Sequence, residues 1–504
     1  MSSSIKTQDT ILKNIIDKNK NSFYGKKFSF YKIDCHKTFK KNVPICQYED
    51  LLQYIDREKR GEQNTLTSNH IHMFEKTSGT SSPSKYIPFT KEFLAEMQRA
   101  TSVWLYDIMK NIPAIKSTSS YWSISPRLGE HEFTEGNLPV GLSDETEYFS
   151  WIERIFLKQI MSVNPNVAKM RAEDFRHHTA LDLLCDENLG LISVWNPSFL
   201  IILLEFIDLN RSSIFQGIQK RILSKARKNL ITMELNRPGP ISYQTIWPNL
   251  KFISSWGDGH ARNLISTIRE YFPNVIFQGK GLLMTEGVVS IPLFSCRDPL
   301  LAINSHFYEF ISEEDRGTIF RHHELIAGKQ YIPVITTSAG LYRYKTNDVV
   351  LISGKVKDVP MMKFIGRADE TVDLFGEKLN AVFVDKILDQ IGNIFFTQCT
   401  FKMMAPVLRP KPHYALFVEG ILRSDNVTQM AFAMDEELRK NHHYALCQKL
   451  GQLGTIEICL VKDALRSYEV HCMSAKGQRP GDIKFKVIDS GHHWKTIFGL
   501  DNSN

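Results

Sequence analysis

Thr77-Ser78-Gly79-Thr80-Ser81-Ser82-Pro83-Ser84-Lys85 is a run of hydroxyls around one glycine, closed by a lysine. Small residues let backbone N–H groups converge on an anion; hydroxyls add donors, and a lysine adds a point charge. Those are the parts of a loop that grips the phosphates of a nucleotide. The sequence has no G-x-x-x-x-G-K-[ST], so this is not the P-loop of NTPases. A solvated serine-rich turn has the same composition, and the loop by itself leaves both readings open.

Four more stretches place charged or small residues where a strand should end, the region in which open α/β sheets bind ligands. In 281–287, Thr285 is followed by Glu286, and an acid there could hold Mg²⁺ against a phosphate. In 340–348, Asp348 follows Tyr342-Arg343-Tyr344 and could accept both hydroxyls of a ribose; a salt-bridged hairpin is the other reading. Gly366-Arg367-Ala368-Asp369 falls at a break in the pattern. Gly481-Asp482-Ile483-Lys484 sets a lysine in a late turn, where most lysines are simply solvated.

The elements that must carry these stretches are legible from periodicity and punctuation. Helices are expected at 10–25 (capped by Asp9 or Thr10), 47–60, 91–110, 164–185, from Pro197 to 209, 217–230 and 261–272. Short strands are expected at 250–255 and 275–278, and further strands at 288–293, 302–312, 331–337 and 347–353. Residues 136–150 read as loop. After the break come a hairpin-like 374–377, a helix 381–391, strands 395–404 and 413–420, a helix 427–451 and a strand 455–461. Strands alternating with helices predict a largely parallel sheet, which the strands from 288 to 353 are expected to continue, some with the alternation of antiparallel ribbons, and a compact α+β domain is expected at the end. The fold class is α/β: a large N-terminal domain over 1–366 and a smaller α+β domain over 367–504.

Composition narrows the function classes. At 504 residues, 42% hydrophobic and 23% charged, the chain has the make-up of an ordinary globular enzyme rather than a disordered one. A net charge of +7 with dispersed lysines does not point to a nucleic-acid stripe. The eight cysteines form no C-x-x-C, and eight of the sixteen histidines come as four adjacent pairs with no H-E-x-x-H, so no metal-ligand spacing appears. The most apolar run, 199–207, is too short to span a bilayer and contains Glu205. With no secretory segment at the start, a cytoplasmic location is expected, without nucleic-acid or membrane partners.

In order and spacing, the Ser/Thr/Gly loop with its lysine, Thr-Glu, Tyr-Arg-Tyr with a following Asp, Gly-Arg-x-Asp and the late lysine resemble the motif series of the adenylate-forming superfamily of acyl-CoA synthetases and luciferases. Within that superfamily the chain resembles the auxin-responsive Gretchen Hagen family of acyl acid amido synthetases, in a bacterial version. Ser193-Val194-Trp195-Asn196-Pro197-Ser198, Gln278-Gly279-Lys280-Gly281-Leu282-Leu283, Asn304 to Phe310 and Leu374-Phe375-Gly376-Glu377-Lys378 extend the resemblance to nearly full length. The chain departs from the family pattern at Ser82 and at Asn347, where glycine is usual.

The resemblance implies ATP-dependent adenylation of a carboxylic acid with release of pyrophosphate, then transfer of the acyl group to an amine, expected to be an amino acid. A thiol acceptor, giving an acyl-CoA or acyl-carrier thioester, is the alternative. It implies ATP and Mg²⁺ as cofactors. Ser78, Gly79, Thr80, Ser81, Ser82 and Lys85 would cradle the β/γ-phosphates, Thr285 would sit by the α-phosphate, and Glu286 would hold Mg²⁺. Asp348 would bind the ribose with Arg367 close by. Lys484 would reach the α-phosphate and the attacking carboxylate, and Asp369 would be the hinge of a mobile smaller domain. Trp122, Trp195, Phe199 and Met284 are the residues expected to line the acyl pocket by position, although each could be ordinary core. The oligomeric state, monomer or dimer, stays open.

Overall fold

The computed structural model describes residues 3–77, 85–123, 132–141, 160–164, 167, 170, 172–258, 261–315, 317–368, 371–375, 377–408, 411–423, 426–479 and 483–500. The chain forms two compact units. The first comprises Met1–Ser193, Thr245–Ser255 and Val275–Phe364; the second comprises Val194–Gln244, Trp256–Asn274 and Ile365–Asn504.

Three sheets build most of the first unit. One is four-stranded and parallel: Ser119–Trp122, Leu189–Ser193, Phe252–Ser255 and Ile276–Gly279 lie side by side in that order. This is the parallel sheet that the strand–helix alternation predicts, but the expected strands from 288 onward do not continue it: Phe307–Ser312, Gln330–Thr336 and Asp348–Val356 pair antiparallel in a separate sheet. Leu189–Ser193 is buried along its whole length, as a strand covered on both faces must be. A second sheet has eight strands; Gln330–Thr336 lies within it, antiparallel to Phe307–Ser312, Tyr344–Lys345 and Asp348–Val356. The third contains the hairpin Ile71–Lys76/Tyr86–Thr90. Helix Lys91–Asn111 follows directly, capped by Thr90, whose hydroxyl accepts from the Phe93 N–H at 3.1 Å. It buries Phe93, Met97, Ala100, Trp104 and Ile108 along one face.

In the second unit, Phe396–Val407 and His413–Leu422 pair antiparallel, and Glu457–Leu460 joins in parallel. Helices Ala381–Phe395 and Val427–Leu438 contribute Val384, Ile387, Leu388, Met430 and Met434 to its core. Helix Pro197–Leu209 carries proline at its first turn and buries nearly every side chain up to Leu204. It packs on helix Ala464–Lys476, and helix Arg262–Tyr271 packs on strand Phe396–Val407.

Several expected boundaries are corrected, each by a cap or a side-chain bond. The first helix runs Ser3–Asn19 rather than 10–25. Thr10 is no cap, because its hydroxyl donates back to the Lys6 carbonyl at 2.8 Å. Ser22 starts a separate helix, Phe23–Lys27. The basic stretch 217–230 is two helices, Arg211–Gln219 and Lys225–Leu235, because Ser224 caps the second by accepting from the Arg227 N–H. The stretch 427–451 is also two helices, Val427–Leu438 and His442–Lys449; the Asn441 side chain accepts from the His443 and Tyr444 N–H groups. The helix expected from 164 is described as Ala172–Cys185.

None of the eight cysteines is in a disulfide. Among the described residues no group of three or more metal-ligating side chains converges, and no helix is long and apolar enough to cross a membrane.

Candidate active site

In sequence, the Ser/Thr/Gly loop joins the two strands of the hairpin Ile71–Lys76/Tyr86–Thr90. Ser78, Gly79, Thr80, Ser81 and Ser82 lie outside the described residues, but the base of the loop is defined. The Thr77 N–H donates to the Lys85 carbonyl at 3.0 Å, and the Lys85 N–H donates to the Thr77 hydroxyl at 3.2 Å. The two ends of the loop are thus held together.

Lys85 meets residues from two distant segments. Its ammonium donates to the Tyr344 hydroxyl at 3.2 Å and lies 5.5 Å from the ring centroid of Tyr48. The Tyr344 hydroxyl donates in turn to Glu286 Oε1 at 3.4 Å. Tyr48 is held by its own backbone contact, accepting the Tyr86 N–H at 2.7 Å. Tyr344 is held from the other side: the Cys46 N–H donates to the Arg343 carbonyl and the Lys345 N–H to the Cys46 carbonyl. The result is a line of cation, hydroxyl and carboxylate beside the base of the loop.

Thr285 and Glu286 form the turn of a short hairpin, Leu283–Met284/Gly287–Val288, with Met284 opposite Gly287. Both turn residues are half-buried. A fully buried network braces the turn from behind. The Val288 N–H donates to His306 Nε2 at 3.1 Å, so His306 carries its proton on Nδ1 and donates it to Glu96 Oε2 at 3.0 Å. Glu96 also accepts from the N–H and the hydroxyl of Ser338. The Tyr308 hydroxyl donates to the Val288 carbonyl at 2.6 Å. Gly287, at φ 153°, is needed here, because a Cβ would stand 2.8 Å from His306 Nε2.

Asp348 is buried and opens strand Asp348–Val356. Asn347 before it sits at φ 64°, the left-handed conformation in which asparagine replaces glycine at least cost. Arg343, also at positive φ, faces away from this chemistry: its guanidinium holds Glu309 at 2.7 and 3.0 Å and the Val43 carbonyl at 2.7 Å. Burial pushes the Glu309 carboxyl up, but hydrogen bonds from His36 and Arg343 outweigh burial and hold it below its ordinary value.

Of the expected acyl-pocket residues, Trp122 ends a strand of the parallel sheet and packs edge-on against Trp104, with centroids 6.1 Å apart. Lys280 lies 5.0 Å from the Trp104 ring and donates to the Ser193 hydroxyl at 2.7 Å. Met284 is half-buried in the Thr285–Glu286 hairpin. Trp195 and Phe199 belong to the second unit, as do Arg367 and Lys484; Asp369 lies outside the described residues. Arg367 ends strand Val359–Arg367 and is half-buried, whereas Lys484 is exposed.

Sequence reading gave no role to Tyr48, Tyr344, Glu96 or His306. Glu96 left one signal: a carboxylate inside the apolar stripe of helix Lys91–Asn111, which must find a partner if buried.

The chain matches three family models: the GH3 family N-terminal domain over residues 1–277, the GH3 family central domain over 299–367 and the GH3 family C-terminal domain over 384–490. It is 23% identical over 548 residues to the 4-substituted benzoates-glutamate ligase GH3.12 of Arabidopsis thaliana, spanning 97% of this chain and 94% of that one. It is also 23% identical to the indole-3-acetic acid-amido synthetase GH3.4 of Arabidopsis thaliana, over 90% of this chain and 84% of that one. The solved structure of the AtGH3.15 acyl acid amido synthetase in complex with 2,4-DB superposes with a TM-score of 0.85 at 20% identity, covering 99% of this chain and 94% of that one; the two share a fold. Matched by its family's N-terminal, central and C-terminal models, the chain belongs to the GH3 family.

Proposed function

We propose that the chain is an acyl acid amido synthetase. It joins a carboxylic acid to the α-phosphate of ATP, releasing pyrophosphate, and passes the acyl group to the amine of an amino acid. The observation that supports this best is the line from Lys85 through Tyr344 to Glu286 beside the closed base of the Ser/Thr/Gly loop.

A carboxylate is a poor electrophile, and joining it to AMP supplies a leaving group. The attack on the α-phosphate builds negative charge on the departing β-phosphate. In this reading the N–H and hydroxyl groups of Ser78, Gly79, Thr80, Ser81 and Ser82, with the Lys85 ammonium, take up that charge. Thr285 donates to the α-phosphate, Asp348 accepts the ribose hydroxyls with Arg367 nearby, and Lys484 orients the attacking carboxylate. One carboxylate, on a turn braced by buried hydrogen bonds, suits an Mg²⁺ ion that takes most of its remaining ligands from phosphate and water, so Glu286 fits the metal. When bound, Mg²⁺ neutralises phosphate charge. All of this is electrostatic stabilisation, in which one missing donor costs about 3 kcal/mol of barrier.

The smaller domain from 367 carries Lys484, and Asp369 is its hinge. Trp122, Trp195, Phe199 and Met284 suit an aromatic or alicyclic acid. The named relatives act on benzoates and indole-3-acetic acid, and such acids head the screen.

Pyrophosphate release measured over a panel of carboxylic acids, with and without each amino acid, tests the reading. Acid-dependent release and an amide product by mass spectrometry are expected. Glu286→Ala and Lys484→Ala are each expected to abolish release in a folded protein; full activity in both would reject the site. A CoA thioester in place of the amide would reject the amine acceptor.

A further inference from the structure

Lys484 is exposed, yet its neighbours Ile483 and Phe485 are buried. The peptide groups on either side of its Cα are each tied down by a side chain within the second unit. The Asn196 amide donates to the Ile483 carbonyl at 2.9 Å. The Tyr468 hydroxyl donates to the Lys484 carbonyl at 3.4 Å and accepts from the backbone of Lys486. Tyr468 is itself fixed, stacked on Trp494 at 4.9 Å and 7° and against Phe485 at 4.8 Å.

Asn196 has a second task. Its Oδ1 caps helix Pro197–Leu209, accepting from the Ser198 N–H at 3.1 Å and the Ser198 hydroxyl at 3.0 Å. Aspartate and serine cap a helix about as well as asparagine. Only asparagine offers an oxygen for the cap and an N–H₂ for a second partner. The cap needs the oxygen; the segment carrying Lys484 needs the nitrogen.

We propose that Asn196 and Tyr468 are positioning residues that fix the backbone around Lys484, so that its ammonium starts from a set origin in the adenylation step. This rests on the reading of Lys484 as the lysine that meets the α-phosphate. A lysine side chain is flexible, and an anchored Cα reduces the freedom it must lose on meeting its target.

Asn196→Ser and Asn196→Asp keep the cap and remove the amide N–H₂ that reaches the Ile483 carbonyl. Both are expected to stay folded, with a melting temperature a few degrees lower in Asn196→Ser and lower still in Asn196→Asp, whose carboxylate would face the Ile483 carbonyl. With benzoate as probe, both should lower kcat for ATP–pyrophosphate exchange about 10²-fold, the scale of a small misplacement in an active site. Conversion of preformed benzoyl adenylate to amide by glutamate should not change. Tyr468→Phe should act in the same direction.

Wild-type exchange in both Asn196 variants, with Lys484→Ala inactive, overturns the inference alone. Equal loss in both half-reactions marks a structural role and overturns it too. Exchange at wild-type rate in Lys484→Ala removes the underlying reading and the inference with it. If benzoate supports no exchange, hydrogen exchange of residues 483–489 decides: protection should fall about 10-fold in Asn196→Ser, and unchanged protection overturns the inference.

Discussion

Tyr344 brings a hydroxyl rather than a charge to the candidate site, and its place between Lys85 and Glu286 gives it a measurable role. A hydrogen bond to a charged group is worth about 1.5–3 kcal/mol, so Tyr344→Phe should lower kcat/KM for pyrophosphate release roughly 10- to 100-fold. Steady-state kinetics at unchanged melting temperature check this; wild-type kcat/KM would mean that the hydroxyl only packs. Glu58 makes a different residue-scale case. It is 1% exposed, its Oε1 accepts the Leu66 N–H at 2.7 Å, and burial pushes its carboxyl from 4.5 up to about 8. Between those values the folded chain holds a proton that the unfolded chain has lost, so stability falls as pH rises through the window. Glu58→Gln should match wild type at pH 4.5 and melt at increasingly higher relative temperature up to pH 8. A difference independent of pH would reject burial as the cause.

At the scale of the element, two turns decide where the acids stand. Asn347 at φ 64° lets the chain turn into strand Asp348–Val356 with Asp348 at its head. The left-handed region costs most L-residues about 1–2 kcal/mol, so Asn347→Val should lose that much in denaturant unfolding while Asn347→Gly stays near wild type. The hairpin carrying Thr285 and Glu286 depends on Gly287 in the same way. Gly287→Ala drives a Cβ against His306, the acceptor for Val288. Strain and a displaced bond of this kind should cost about 1–3 kcal/mol, with slower pyrophosphate release. An alanine variant as stable and active as wild type would show that the turn adjusts freely.

For the molecule as a whole, the second unit is assembled from three stretches of chain. A chain cut after residue 366 keeps helix Pro197–Leu209 without helix Ala464–Lys476, and helix Arg262–Tyr271 without strand Phe396–Val407. Fragment 1–366 should therefore bind a hydrophobic dye and melt less cooperatively than the full chain, as exposed apolar helix faces require. A sharp transition at the full-length temperature would show that those faces need no cover.

What the sequence determined by itself is what short-range physics writes locally. Apolar spacing marked helices Tyr48–Lys59 and Lys91–Asn111, and a proline after a polar residue marked the start of Pro197–Leu209. Strand–helix alternation marked the parallel sheet, and residue type marked the loop ending in Lys85, Thr285–Glu286 and the turn that Asn347 makes possible. It misjudged lengths where one side chain outbids the pattern, as Ser224 and Asn441 do by capping new helices. Tertiary structure alone decided the pairings. Glu96 and His306 lie 210 positions apart, and Lys85 and Tyr344 lie 259 apart. Neither spacing repeats with any helical or strand period, so nothing local announces the pair. A buried carboxylate, a buried imidazole and a tyrosine hydroxyl take their meaning from the partner that meets them, and that partner is set by the folded path of the chain.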